Sequence, residues 1–155
     1  MEALLIVNSK LKESLKDMDA ILAFIFSDIN FQKWLLDIIR YKQMFEEGVG
    51  EENIIIGNYS PATEALNPNK QAYSHFTLRD TGAFYESMKV YVNATNIVID
   101  ADGNKTDPIT GEVINIFELY GQEQNLLGLT EPHWDELLEK LKPLIIEQLW
   151  KHIAA

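Results

Sequence analysis

Leu78-Arg79-Asp80-Thr81-Gly82-Ala83-Phe84-Tyr85-Glu86-Ser87, followed by Val90-Tyr91-Val92 and, after Asn93-Ala94-Thr95-Asn96, by Ile97-Val98-Ile99, decides the fold. Thr81 or Asp80 can cap a single helical turn over Ala83–Ser87, and Gly82 lets the backbone turn in sharply. From Val90 the apolar residues alternate with Tyr91 and Asn93. The apolar run 97–99 then returns, which predicts an antiparallel hairpin. A helical turn feeding a hairpin, with helical patterns on both sides, makes the chain α+β.

Downstream, Asp102-Gly103-Asn104 and Pro108-Ile109-Thr110-Gly111 carry turn chemistry around a second excursion, and residues 113–117 add another strand. Upstream, Asn53-Ile54-Ile55-Ile56, ending at Gly57, predicts a short buried strand. Residues 58–74 hold Pro61, Pro68 and three Asn among small polar residues and read as a long loop. Loops of that length are usually functional or ordered by a partner, so this one is a candidate contact arm; a plain surface excursion is the alternative.

The first third is helical by pattern. Leu11, Leu15, Met18, Leu22, Ile25 and Ile29 recur at alternating spacings of four and three. Asp28 or Asn30 can cap a second stretch, in which Trp34, Ile38, Tyr41 and Phe45 line one face before Gly48 and Gly50 end it. The seam is shorter than three heptads, which favours burial against the domain's own sheet over a coiled-coil partner. Thr130-Glu131-Pro132 opens a last helix. Its apolar face is Trp134, Leu137, Leu138, Leu141, Ile145, Leu149 and Ile153, and Pro143 should kink it. Such a face either covers the sheet or packs on a neighbouring subunit. The expectation is a single domain over 1–155, with N-terminal helices and a long C-terminal amphipathic helix packed on a small, mainly antiparallel sheet. Within it, 1–50 is helical, 51–77 is strand and loop arm, 78–130 is β-rich and 131–155 is the last helix.

The 155 residues suffice to bury a core without staples. With no cysteine, disulfide scaffolds, thiolate zinc sites and thiol nucleophiles are excluded. A net charge of −11 argues against sequence-independent phosphate binding, which needs Lys and Arg to neutralise phosphates. Only Arg40 and Arg79 offer a guanidinium fork. The apolar runs 4–7 and 20–26 fall short of the roughly 20 residues that span a bilayer. Glu2, without a basic flank, does not read as a secretory signal.

The candidate chemical constellations fail on spacing. Asp100-Ala101-Asp102-Gly103-Asn104 begins like a calcium loop, but Lys105 and Gly111 stand where that motif needs glycine and a bidentate acid. His75, His133 and His152 lack metal-ligand spacing, and Ser74-His75 adjacency cannot form a catalytic pair. Gly48-Val49-Gly50 lacks the remainder of a phosphate loop. Acid pairs such as Asp135 with Glu139, or Glu46 with Glu47, fit solvated faces. No catalytic, cofactor-binding or metal-ligating residue is assigned.

Thr81-Gly82-Ala83-Phe84-Tyr85-Glu86-Ser87 resembles the Thr-Gly-x-Leu-x-x-Ser signature of tailed-phage tail-completion and minor tail proteins, with Phe84 in place of leucine. Phe117-Glu118-Leu119-Tyr120-Gly121 is similar to that family's Glu-aromatic-Gly element, with Leu119 as an extra residue. Leu126-Leu127-Gly128-Leu129-Thr130 resembles the Phe-Leu-Gly-Leu-Ser segment of phage virion-morphogenesis proteins, with Gln124 and Asn125 where a basic residue often stands. These motifs lie within residues 78–153.

The resemblance implies a non-enzymatic neck or tail-end component, a head-to-tail ring of α+β protomers that joins portal, connector or tail-tube proteins. Its assembly candidates are Thr81, Gly82, Phe84, Ser87, Glu118, Gly121, Leu127, Gly128 and Leu129. The protein would be made in the host cytoplasm and reside in the virion, with no cofactor, no membrane contact and no specific nucleic-acid binding, although DNA passes through the ring. A cellular adaptor binding partner helices is the alternative, and a carboxylate-based hydrolase stands third.

Overall fold

Asp28 cuts the N-terminal helical region in two. Its carboxylate accepts the N–H of Phe31 at 2.8 Å and caps a new helix. In the computed structural model, which describes residues 17–94, 96–107 and 110–154, α1 is therefore Met18–Phe26 and α2 is Ile29–Asp37. Leu11 and Leu15 of the predicted seam lie outside the described residues. α2 continues into a π-helical segment, Ile38–Glu47, which ends at Gly48. Gly48 has φ 68°, and a Cβ there would come within 2.2 Å of the His75 ring, so only glycine fits both the left-handed turn and the close packing.

The buried stripe matches the predicted one only in part, at Ile25 and Ile38, with Leu22 and Trp34 packed at its edge. Ile21, Ile25, Phe26, Phe31, Leu35, Leu36, Ile38, Ile39 and Met44 are buried, while Ile29 is 72% exposed and Tyr41 and Phe45 remain substantially exposed. The break at Ser27 resets the helical phase, and the wider π turn shifts it again beyond Ile38.

α4, Ala83–Ser87, is the expected single turn, entered through Gly82 at φ 90°. β1, Lys89–Val92, and β2, Ile97–Asp100, form the predicted antiparallel hairpin, with Val90 opposite Ile99 and Val92 opposite Ile97. β3, Asn104–Thr106, and β4, Val113–Asn115, form a second antiparallel pair, so the β-layer is two separate ribbons. The strand expected over 113–117 stops at Asn115. There the side chain accepts the N–H groups of Phe117 and Glu118 and starts a short helix, α5, Ile116–Tyr120.

Two expectations for the stretch before α4 are corrected. The 53–56 run is not a buried strand: Asn53 sits at φ 58°, Ile54 and Ile55 are exposed, and pairing there is one isolated bridge between Val49 and Ile55. Residues 58–74 are a closed loop rather than an extended arm. Ser60 caps a short helix, α3, Pro61–Leu66, inside the loop. The N–H of Tyr59 bonds Ser74 O at 2.9 Å, the N–H of Tyr73 bonds Tyr59 O at 2.8 Å, and the N–H of Phe76 bonds Gly57 O at 2.7 Å, which pins the base.

α6, Glu131–Ala154, runs through Pro143 without ending. Leu137 and Leu141 are buried, but Trp134 and Leu138 on the predicted face are about half exposed. The helix packs on α1, and β1 packs on α1 and α2, so α1 touches both the long helix and the first hairpin. These elements and the 126–129 segment share one apolar core, in which each buried Leu, Ile or Phe contributes about 1.5–3 kcal/mol. The fold is α+β.

Candidate functional site

The first motif residues are fold-forming at close range. Thr81 Oγ1 accepts the N–H of Ala83 at 3.3 Å, and the carbonyl of Gly82 accepts the N–H of Glu86 at 3.0 Å. Phe84 is buried and meets Phe117 edge to face, with ring centroids 5.7 Å apart. Ser87 Oγ donates to Phe84 O at 2.7 Å and accepts the N–H of Asp102 at 3.0 Å. The first two motifs therefore meet through Phe84 and Phe117, and Ser87 holds the turn between the ribbons.

Gly121 ends α5, where a Cβ would lie 2.7 Å from Phe117 O, a backbone atom that cannot swing away. Glu118 points to solvent, while Leu127 and Leu129 are buried. Of the nine motif residues, only Thr81 and Glu118 are exposed enough to meet a neighbour directly.

The third motif is held by a residue with no sequence signal. Gln43 is fully buried in the π segment; its Nε2 donates to Gly128 O at 2.7 Å and its Oε1 accepts the N–H of Thr130 at 2.9 Å. Gln124 works in the same way, taking the N–H of Gly50 at 3.0 Å and donating to Ile54 O at 2.7 Å. The Gln43 amide satisfies two backbone groups, and the Gln124 amide braces the Gly50 N–H and Ile54 O, which also meet each other at 3.4 Å. Nearby, the buried ring of His133 lies 3.2 Å from Glu47 and 3.6 Å from Glu136, and Lys42 meets Glu136 at 2.6 Å. The Lys42 ammonium, with a smaller contribution from His133, holds the Glu136 carboxyl below its ordinary pKa.

Asp80 links the loop to the second ribbon. It lies 3.1 Å from Lys70 and 2.6 Å from Lys105, and those two ammonium groups, Lys105 foremost, depress its pKa. Tyr85 Oη donates to Thr77 O, and burial raises the phenol above its ordinary pKa of 10. His75 Nε2 sits 2.9 Å from Phe45 O, which seats the loop base on the C-terminal end of the π segment. The loop thus stands rigidly, with Leu66 87% exposed at the end of α3 and Tyr73 also projecting.

At the other end of the rod that α2 and the π segment form lies an apolar groove of about 540 Å³, lined by Phe24, Ile25, Phe31, Trp34 and Leu144 with polar edges at Asp28 and Gln148. Lys140 stands 5.4 Å from the centre of the Trp34 ring, and among the described residues no carboxylate pairs with it. No protein-family model matches the chain, and no curated protein or solved structure is similar to it.

Among the described residues no three His, Asp or Glu side chains converge as a metal site, and no helix is long and apolar enough to cross a membrane. The buried polar side chains Gln43, Gln124 and His133 are engaged in holding backbone or neighbouring carboxylates. Chemically, the arrangement offers surfaces: a braced loop from which Leu66 and Tyr73 project, an apolar groove, and three motif segments locked into the fold. The Leu-Leu-Gly-Leu segment was legible in the chain. Gln43, the His133 cluster and the groove were not, because each is made by residues distant in sequence.

Proposed function

We propose that this chain is a structural protein of a tailed-phage virion, a ring-forming protomer of the neck or tail end that joins portal, connector or tail-tube proteins. One observation carries the reading: Leu66 and Tyr73 are held out on a pinned loop while no described residue covers Phe24 and its groove, in a chain whose charge of −11 by itself favours solubility. The resemblance of the three motif segments supports it. Ser87 and Gln43 lock the first and third into the fold, as a rigid ring protomer requires. The acidity suits a passage through which DNA slides, because few basic side chains are there to displace the DNA's counterions and hold its phosphates.

Sedimentation velocity and negative-stain electron microscopy at high micromolar concentration, alone and with a tailed-phage portal protein, test the proposal. Closed rings or portal-capped rings are the expected result. A chain that stays monomeric under both conditions overturns it, and one that binds an isolated amphipathic peptide instead favours the adaptor, for which the groove has the required apolar floor.

A further inference from the structure

The first ribbon ends in an open edge. β1 lies against α1 and α2, and the sheet stops at β2. The N–H of Asn93 bonds Asn96 O at 2.8 Å, which sets the phase of the ladder: Tyr91 with Val98 and Lys89 with Asp100 are the hydrogen-bonded pairs, and the pairs between them are not. The N–H and C=O groups of Ile97 and Ile99 therefore point away from β1. Among the described residues none of these groups has a hydrogen-bond partner. Native proteins commonly block such an edge with a charge, a proline or a bulge. Ile97-Val98-Ile99 carries none of them. On the outer face of the ribbon Val98 is 46% exposed beside Tyr91, itself 50% exposed, while Val90, Val92 and Ile99 turn to the core.

We propose that β2 pairs antiparallel with β2 of a second copy of this chain, about a two-fold axis through Val98. The inference stands apart from the ring reading above. In this register Ile97 lies opposite Ile99 of the second copy, so the outward N–H and C=O groups of both strands satisfy one another. The two Val98 side chains meet across the axis in the close, non-hydrogen-bonded position, about 4.5 Å between Cα atoms. The ribbons become one continuous sheet, and Tyr91 and Val98 of each copy join in an unbroken apolar row on its outer face. Charge permits the match in a chain of net −11: Lys89 stands opposite Asp100 within each ribbon, and Asp100 falls opposite Asn96 of the second copy rather than another acid. The contact is isologous, because the same strand serves on both sides. The other ribbon fits less well. Aligned over its full length with β4, β2 would set Asp100 directly across from Glu112, like charge on like. Aligned with β3, it would set Val98 across from Lys105, which Asp80 already holds at 2.6 Å.

The test uses the one residue that must meet its own copy. Val98→Lys and Val98→Glu each place like charges across the axis, and because Val98 is exposed, circular dichroism and melting temperature should stay at wild-type values. In sedimentation velocity the wild type should dimerise reversibly at high micromolar concentration, and each variant alone should associate at least about tenfold more weakly. An equimolar mixture of the two variants should recover the dimer, since lysine meets glutamate only if position 98 faces itself. Hydrogen exchange reads the same contact in the unaltered chain: the Ile97 and Ile99 amides should gain protection as concentration rises, while the Val98 amide, already bonded to Tyr91, should not change.

Wild-type association that neither variant weakens, or a mixture that associates no better than its components, overturns the assignment. So does protection of Ile97 and Ile99 that is independent of concentration, which would mean that the edge is already covered within one chain. Rings that persist in both variants would remove this contact and leave the ring reading standing, and dimers without rings would do the reverse. Wild-type protein that never self-associates removes both.

Discussion

Replacing Gln43 by Met keeps the shape of the side chain and deletes its amide, which isolates what the two hydrogen bonds contribute. Both partners are backbone groups in the tightly held 126–130 segment: Gly128 O loses its donor at 2.7 Å, and the N–H of Thr130, a residue 1% exposed, loses its acceptor at 2.9 Å. A buried backbone group left without a partner costs about 1–3 kcal/mol, so the pair should cost roughly 2–6 kcal/mol. Total stabilities are about 5–15 kcal/mol, so a loss near the middle of that range removes a large share. At roughly 2–4 °C per kcal/mol for a domain of this size, the melting temperature should fall by on the order of 10 °C. Urea denaturation should show a lower midpoint with an unchanged slope, and the Thr130 amide should exchange its hydrogen faster relative to its neighbours. Gln43→Glu refines the test. An ionised Glu can accept from Thr130 but cannot donate to Gly128 O, whereas the protonated acid can do so, so that variant should regain stability on acidification. A loss below about 1 kcal/mol for Gln43→Met, with Thr130 exchange unaltered, would show that the amide clamp does not hold the segment.

Gly48→Ala should cost roughly 2–4 kcal/mol by thermal melting, because a Cβ at φ 68° is strained and would displace the His75 ring from Phe45 O; a cost under about 0.5 kcal/mol would mean that the loop base tolerates repacking. Asp80→Asn should cost only about 0.5–1 kcal/mol, since the carboxylate is 42% exposed and screened. Because Asp80 titrates below its ordinary value of 3.8 in the fold, that contribution is present above about pH 4 and disappears as the pH falls through the folded value; a deficit that persists in acid would point to packing instead of charge. For Tyr85 the sign reverses. Its folded pKa is raised, so the stability it lends is complete below pH 10 and is lost above it, and Tyr85→Phe should flatten the alkaline limb of a stability–pH curve measured by urea midpoints.

The parts of the fold that were legible in the chain are those set by chemistry within a few residues. Asp28 caps α2, Gly48 ends the rod, Gly82 enters α4, and the alternation from Val90 to Val92 finds its partner at 97–99 because a short connection brings the two runs together. Where phase has to be carried over distance, local chemistry is insufficient. Tyr41 and Phe45 continue a helical repeat on paper, but the π segment changes the angle per residue, so Ile39, Gln43 and Met44 turn inward in their place. The 53–56 run has strand composition yet lies outside any sheet, because the left-handed backbone at Asn53 and the capture of Ile54 O by Gln124 commit it to a turn. The same distinction divides the candidate sites. The Thr-Gly and Leu-Gly-Leu motifs can be read from neighbouring letters and serve mainly to build the interior. The α3 protrusion and the Trp34–Lys140 groove depend on pairings between residues far apart in the chain, such as Tyr59 with Ser74 and Trp34 with Lys140. The surface chemistry of the loop and of the groove therefore appears only after the tertiary structure has brought those residues together.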